Sequence, residues 1–226
     1  MERMLEPELM DDEGQARAYA EADFEAPNSQ FVDLFAEYFG DFSGNGYLLD
    51  LGCGPGDICL RLARRYPQAI VHGLDGAPAM LAHARQALAR LPDLQGRVEF
   101  LQGVLPEAVL PLGNYQAIVS NSLLHHLHDP LVLWHSVRHY AVPGAPVLAM
   151  DLLRPPSQQA ARQIVDSYAA GEPPILRRDF FNSLLAAFSL EEVRAQLLAA
   201  GLEDFTVVRV SDRHLAVYGR NPSSQY

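Results

Sequence analysis

Lysine is absent from this chain of 226 residues: all 17 basic residues are arginine, against 28 acidic ones, for a net charge of -11. A protein that tracks a phosphate backbone carries a basic stripe. Here the dense basic points are Arg61/Arg64/Arg65, spaced for the solvent face of a helix, and Arg177/Arg178. Nucleic acid is therefore not an expected partner. Cysteine is nearly absent as well. Cys53 and Cys59 flank part of a glycine-rich turn at a spacing that suits neither a disulfide framework nor a zinc site, so both read as reduced structural thiols. No apolar run approaches the roughly 18 residues that span a bilayer. The opening MERMLEPELMDDEGQ is too acidic and polar for a secretory signal. These absences predict a cytoplasmic protein with no membrane partner. No internal repeat or low-complexity tract breaks the chain.

What is present is an alternation. YLLDL (47–51), AIVHGLD (69–75), RVEFL (97–101), YQAIVS (115–120) and a strand within PGAPVLAMDLL (143–153) are short apolar runs. Helical spacing follows the first, second and fourth, over Asp57 to Tyr66, Ala79 to Leu91, and Pro130 to Tyr140. Strand alternating with helix predicts an α/β fold, a mostly parallel sheet covered on both faces. After Pro155-Pro156 the rhythm stops. Helices are expected over Gln158–Ala169 and from about Arg178 to Phe188, then one capped by Ser189. FTVVRV (205–210) and HLAVYG (214–219) predict a closing antiparallel pair. Residues 1–44 are acidic and helix-prone and read as a flap, leaving 45–226 as the domain proper with a helical insert at 153–188.

The chemistry concentrates where the first strand meets its helix, at DLGCGPG (50–56). Ligands of open α/β sheets bind beyond the carboxyl ends of the strands, and glycine there lets backbone approach a ligand closely. A dinucleotide fingerprint would require a third glycine at position 57, which is aspartate. The spacing G-x-G-x-G after an acid instead resembles motif I of the class I (Rossmann-like) S-adenosylmethionine-dependent methyltransferases. Further segments resemble that family in order: Asp75 closing the second strand, DGAPAML after it, FLQGVLPE after the third, SNSLLHHLHDP after the fourth, and PGAPVLAMD as strand five. The resemblance covers about residues 45–152. It implies a seven-stranded sheet, S-adenosylmethionine as cofactor and S-adenosylhomocysteine as product. It also implies cofactor contacts from Asp50, Gly52, Cys53, Gly54, Gly56, Asp75 (to the ribose hydroxyls), Gly76, Met80 (against the adenine), Gly103, Ser120 and Asn121. Where the family commonly has an aspartate for the adenine amino group, this chain has Val104, whose backbone can still bond the ring. Tyr19 in the flap matches a tyrosine that in the family often touches the methionine part of the cofactor; the plain alternative is an amphipathic helix covering the sheet edge.

The histidines of SNSLLHHLHDP admit three readings: base, packing group or metal ligand. If strands four and five are neighbours, His125, His126 and Asp151 converge beside the transferred methyl group. A neutral histidine suits proton removal from an alcohol, phenol or protonated amine, and a carboxylate behind it fixes the tautomer. His125 or His126 as base with Asp151 as orienting partner is the mechanistic expectation, with positioning as its alternative and no metal. His128-Asp129-Pro130 reads as a helix-start turn. Phe24 of the flap and Arg177, Phe180 and Asn182 of the insert are the candidates for binding a small polar or anionic acceptor. The expected enzyme is a small-molecule methyltransferase acting at O, N or C, as monomer or homodimer. The alternatives are a methyltransferase of RNA or protein side chains, and a cofactor-binding module without transfer; a nicotinamide-dependent oxidoreductase is disfavoured by the glycine spacing.

Overall fold

The structure is a computed structural model and describes residues 1–223. Among these residues seven strands form one sheet: β1 (Gly46–Leu51), β2 (Ala69–Asp75), β3 (Val98–Gln102), β4 (Ala117–Asn121), β5 (Pro146–Leu152), β6 (Thr206–Arg209) and β7 (His214–Arg220). Their order is β3-β2-β1-β4-β5-β7-β6; the first five run parallel and β7 is antiparallel to both β5 and β6. Strand order reverses between β1 and β4, which leaves a crevice at their carboxyl ends, where such sheets bind ligands.

The central strands are buried on both faces, so they read as continuous apolar runs rather than alternating ones. The α-helices of the described residues pack around them: α1 (Glu13–Glu21), α2 (Glu25–Tyr38), α3 (Asp57–Arg65), α4 (Pro78–Ala89), α5 (Leu131–Tyr140), α6 (Gln158–Tyr168), α7 (Pro174–Ala186) and α8 (Leu190–Ala199). Trp134 of α5 is fully buried under one face of the sheet, its indole N–H donating to Gln196 of α8 at 3.1 Å. Phe31 and Phe35 of α2 fill the other face with Leu62 of α3. The predicted cap on α8 is present as a capping box, Ser189 and Glu192 each bonding the other's backbone N–H.

Most boundaries fall within two residues of the sequence reading, and the largest difference is at the start of α7. Helix α7 begins at Pro174, a turn earlier than Arg178, because proline's fixed φ and missing N–H suit a first helical turn. The element least expected is a strap. Residues before α1 run back over the ends of β4 and β5, fastened by Met4 N–H to the Leu185 carbonyl at 3.0 Å. The Arg3 guanidinium donates to the carbonyls of Ala186, His125 and Leu127 and stacks 3.9 Å from the Phe188 ring centroid. Among the described residues no helix is long and apolar enough to cross a membrane.

Candidate active site

A cavity of about 640 Å³ opens at the carboxyl ends of β1, β2 and β4, roofed by the strap, α1, the start of α2, and α6 and α7. Its floor is the β1–α3 turn. Gly52, Gly54 and Gly56 all take positive φ (+73°, +52° and +85°), which glycine adopts without the penalty a Cβ imposes. Their surroundings differ. A Cβ on Gly54 would meet nothing within 4 Å and point into open cavity, whereas one on Gly56 would meet the Phe100 ring at 2.5 Å. Gly54 is thus a cradle position; Gly56 is absent from the cavity lining and serves helix–sheet packing instead.

Three polar side chains face this floor. Asp50 is 1% exposed; its Oδ2 accepts from the Cys59 thiol, while Oδ1 is buried with no hydrogen-bond partner among the described residues. Burial without a cation raises its pKa from 3.8 to about 7. Asp75, at the end of β2, accepts the Gly54 and Ala77 N–H groups at 2.8 Å each, so its carboxylate is aimed before any ligand arrives. Burial pushes its pKa up against those backbone donors. Asn121 ends β4 with its Oδ1 also buried and likewise unpartnered among the described residues. Met80, Gly76, Gly103, Val104 and Cys53 line the same cavity, with the Tyr19 and Phe24 rings in tilted contact above it, centroids 4.7 Å apart. Ser120 does not reach it: its hydroxyl donates to the Leu51 carbonyl at 2.9 Å and ties β4 to β1.

At the far wall, β4 and β5 are neighbours and bring the histidine pair to Asp151. Asp151 accepts His125 Nδ1–H at 2.6 Å and the N–H groups of Leu124 and Leu152 at 2.7 Å each. Burial would neutralise both partners, but their mutual attraction prevails: the His125 pKa is raised and that of Asp151 lowered. His125 Nε2 faces the strap, 3.5 Å from Glu6 Oε1. His126 Nδ1 is 3.3 Å from the same oxygen, and burial holds its pKa down at about 3, so the ring is neutral. Neither nitrogen of His125 therefore stands open to the cavity: one bonds Asp151, the other faces Glu6. Glu6 was illegible from sequence because its contacts lie more than a hundred residues along the chain.

On the acceptor side Phe24 and Phe180 line the cavity as expected. Arg177 and Asn182 do not. Arg177 pairs with Asp166 at 2.7 Å near the surface, and Asn182 is exposed on the outer face of α7. The lining instead includes Tyr168, Asp179, Arg213 and His214. Its two arginines are both engaged. Arg61 is clamped between Asp57 and Glu25, and Arg213 pairs with Asp212 at 3.0 Å while stacking 3.4 Å from the Tyr168 ring centroid. Burial holds His214 neutral, with its pKa down at about 4. His135 and His139 lie apart, exposed on α5, and His128 is exposed beside the strap.

Comparison with known proteins is consistent across sequence and fold. Residues 48–144 match the family described as a methyltransferase domain. The chain is 35% identical over 160 residues to a trans-aconitate 2-methyltransferase of Methylobacterium nodulans, covering 68% of this chain and 56% of that protein. It is 29% identical over 128 residues to an uncharacterized methyltransferase of Mycobacterium tuberculosis, covering 57% and 61%. The chain thus spans little more than half the length of the curated relatives it matches. Among solved structures, the plantazolicin methyltransferase BpumL in complex with a pentazolic desmethylPZN analog and S-adenosylhomocysteine superposes with TM-score 0.71 at 14% identity, covering 93% of this chain and 92% of that one. A SAM-dependent methyltransferase from Aquifex aeolicus gives 0.64 at 19%, covering 93% and 98%.

Proposed function

We propose that this chain, which belongs to the class I S-adenosylmethionine-dependent methyltransferases, transfers a methyl group from that cofactor to an O, N or C atom of a small molecule enclosed in the cavity. The observation that carries the reading is the pairing of an open cradle at Gly54 with an unpartnered buried oxygen on Asp50. That combination fits a ligand with an ammonium group. Asp75 fits a vicinal diol, and Met80 with Val104 fits a flat ring. When bound, the cofactor supplies a methyl group already activated on a sulfonium and leaves as S-adenosylhomocysteine.

The chain's own task is then to bind, orient and keep water out. Asp50 would hold the ammonium end, Asp75 the ribose, and the Gly52–Gly54 backbone the length between them. Holding donor and acceptor in line is worth roughly 7–11 kcal/mol of barrier, so alignment carries most of the rate. The strap, α1 and α7 roof the cavity, and a volume of about 640 Å³ accommodates a cofactor with a metabolite rather than a macromolecule. Handling of the acceptor's proton falls to His126, whose ring is neutral and lines the cavity, with the His125–Asp151 pair positioning it. Two buried thiols without a disulfide suit a cytoplasmic location, with the enzyme acting as monomer or homodimer.

The acceptor is uncharged or cationic. Glu172 lines its end of the cavity, while Asp179, paired with Arg178 at 3.0 Å, and both lining arginines are already engaged. Trans-aconitate, named for the relatives, is a tricarboxylate and would meet no free cation among the described lining residues. Incubation with methyl-labelled cofactor and a panel of amines, phenols, alcohols and trans-aconitate tests this. Transfer to an amine or hydroxyl acceptor is expected. Turnover of trans-aconitate in preference to all others would overturn the acceptor assignment, and absence of both transfer and cofactor binding would overturn the function.

A further inference from the structure

The strap brings one carboxylate to two imidazoles. Glu6 Oε1 lies 3.5 Å from His125 Nε2 and 3.3 Å from His126 Nδ1, and the three atoms fall within 4.8 Å of one another. The Glu6 side chain is 10% exposed, and Oε1 is buried with no hydrogen-bond partner among the described residues. We propose that Glu6, His125 and His126 form a binding site for a divalent transition-metal ion of the zinc class.

Five features support the assignment. Two imidazoles and one carboxylate are a donor set that zinc takes with three protein ligands and an open fourth position. Bonds of about 2.0–2.1 Å at tetrahedral angles put donors about 3.4 Å apart, which matches the two edges that meet at Glu6. Asp151, accepting from His125 Nδ1, directs the lone pair of Nε2 toward the cluster, the arrangement by which a carboxylate orients a metal-bound histidine. Glu6 is held as well, its other oxygen accepting from the Ser183 hydroxyl at 3.2 Å. The charge near the cluster also suits a cation: Glu6 and Asp151 outnumber the Arg3 guanidinium, which is spent on backbone carbonyls.

The site would fasten the strap to the sheet edge. Because both histidines line the cavity, the ion would stand in its wall, where an acceptor oxygen at the open position loses its proton more readily. That consequence rests on the methyl-transfer reading; the site itself does not. The competing arrangement has no metal, only a charged His125 held between Asp151 and Glu6.

Titration of chelator-treated protein separates the two. Zinc is followed by calorimetry and by thermal melting, cobalt by its visible absorption. The expected result is one ion per chain, a raised Tm with zinc, and the intense cobalt bands of low coordination number. Affinity should fall at least tenfold in Glu6→Gln and in His126→Asn, which leaves the His125–Asp151 pair intact, and hold in His128→Asn. His128 with Glu8, 3.8 Å apart, is the nearest exposed competing pair. Wild-type protein that binds no stoichiometric ion, or binding that survives both Glu6→Gln and His126→Asn, overturns the site whatever the enzyme's activity.

Discussion

Replacing Asp50 by asparagine should raise stability and lower cofactor affinity at once. Asp50 titrates at about 7 in the fold against 3.8 for an ordinary aspartate, because burial without a cation disfavours its charge. The folded state therefore keeps a proton that the unfolded chain releases. The stability this proton confers is complete below pH 3.8 and is lost as pH rises through about 7. At about 1.4 kcal/mol for each pH unit between those two values, the difference amounts to about 4 kcal/mol. An asparagine at this position has no such charge and can still accept from the Cys59 thiol. At pH 8 the variant should melt higher than wild type by on the order of 10 °C, and the difference should vanish toward pH 4. A ligand ammonium supplies the missing cation in the wild type, and a hydrogen bond to a charged group is worth about 1.5–3 kcal/mol. S-adenosylhomocysteine should accordingly bind the Asp50→Asn variant about 10- to 150-fold more weakly at pH 8. Scanning calorimetry and titration calorimetry read the two effects separately. A variant that is less stable at pH 8, or that binds the ligand as tightly as wild type, refutes the reasoning.

The neighbouring glycines should part company. Gly54→Ala puts its methyl into open cavity, so its stability cost is the backbone term of about 1–2 kcal/mol while ligand affinity falls more than tenfold. Gly56→Ala drives a methyl into the Phe100 ring and should cost more than about 2 kcal/mol in denaturant unfolding. Below pH 7, ligand binding should release a proton from Asp50, visible as a binding enthalpy that changes with the buffer's ionisation enthalpy; no buffer dependence at pH 6 counts against the ammonium contact. Asp151→Asn removes the acceptor that fixes His125 and should cut turnover at least tenfold in the labelled-methyl assay with little change in cofactor affinity. Equal turnover would reduce the His125–Asp151 pair to packing.

Much of the fold is legible because the central strands are apolar on both faces and end in glycine or acid, as at Leu48–Gly52 and Leu74–Gly76. The insertion of β7 between β5 and β6 is not, since antiparallel pairing leaves no mark on a local apolar run. The floor of the cavity is built from contiguous motifs, so the lining residues Asp50, Gly54, Asp75 and Asn121 could be named in advance as candidates. Spacing alone could not tell the cradle glycine from Gly56, whose partner Phe100 sits on another strand. Two residues expected at the other end, Arg177 and Asn182, lie outside the lining for a different reason. On α7 the inward positions are Leu176, Asp179, Phe180 and Ser183, at helical spacing, and Arg177 and Asn182 fall between them. Arg213 and His214 reach the cavity wall, and Glu6 reaches His125 and His126, only through long-range folding, which no local pattern reports.

The central claim is that the β1–α3 turn and Asp75 hold S-adenosylmethionine, and calorimetric titration with S-adenosylhomocysteine tests it most directly. One site per chain with micromolar or tighter affinity is predicted for the wild type, and loss of that binding for a folded Gly54→Val variant. Wild-type protein that binds neither S-adenosylhomocysteine nor S-adenosylmethionine, or a Gly54→Val variant that binds as well as wild type, would contradict it.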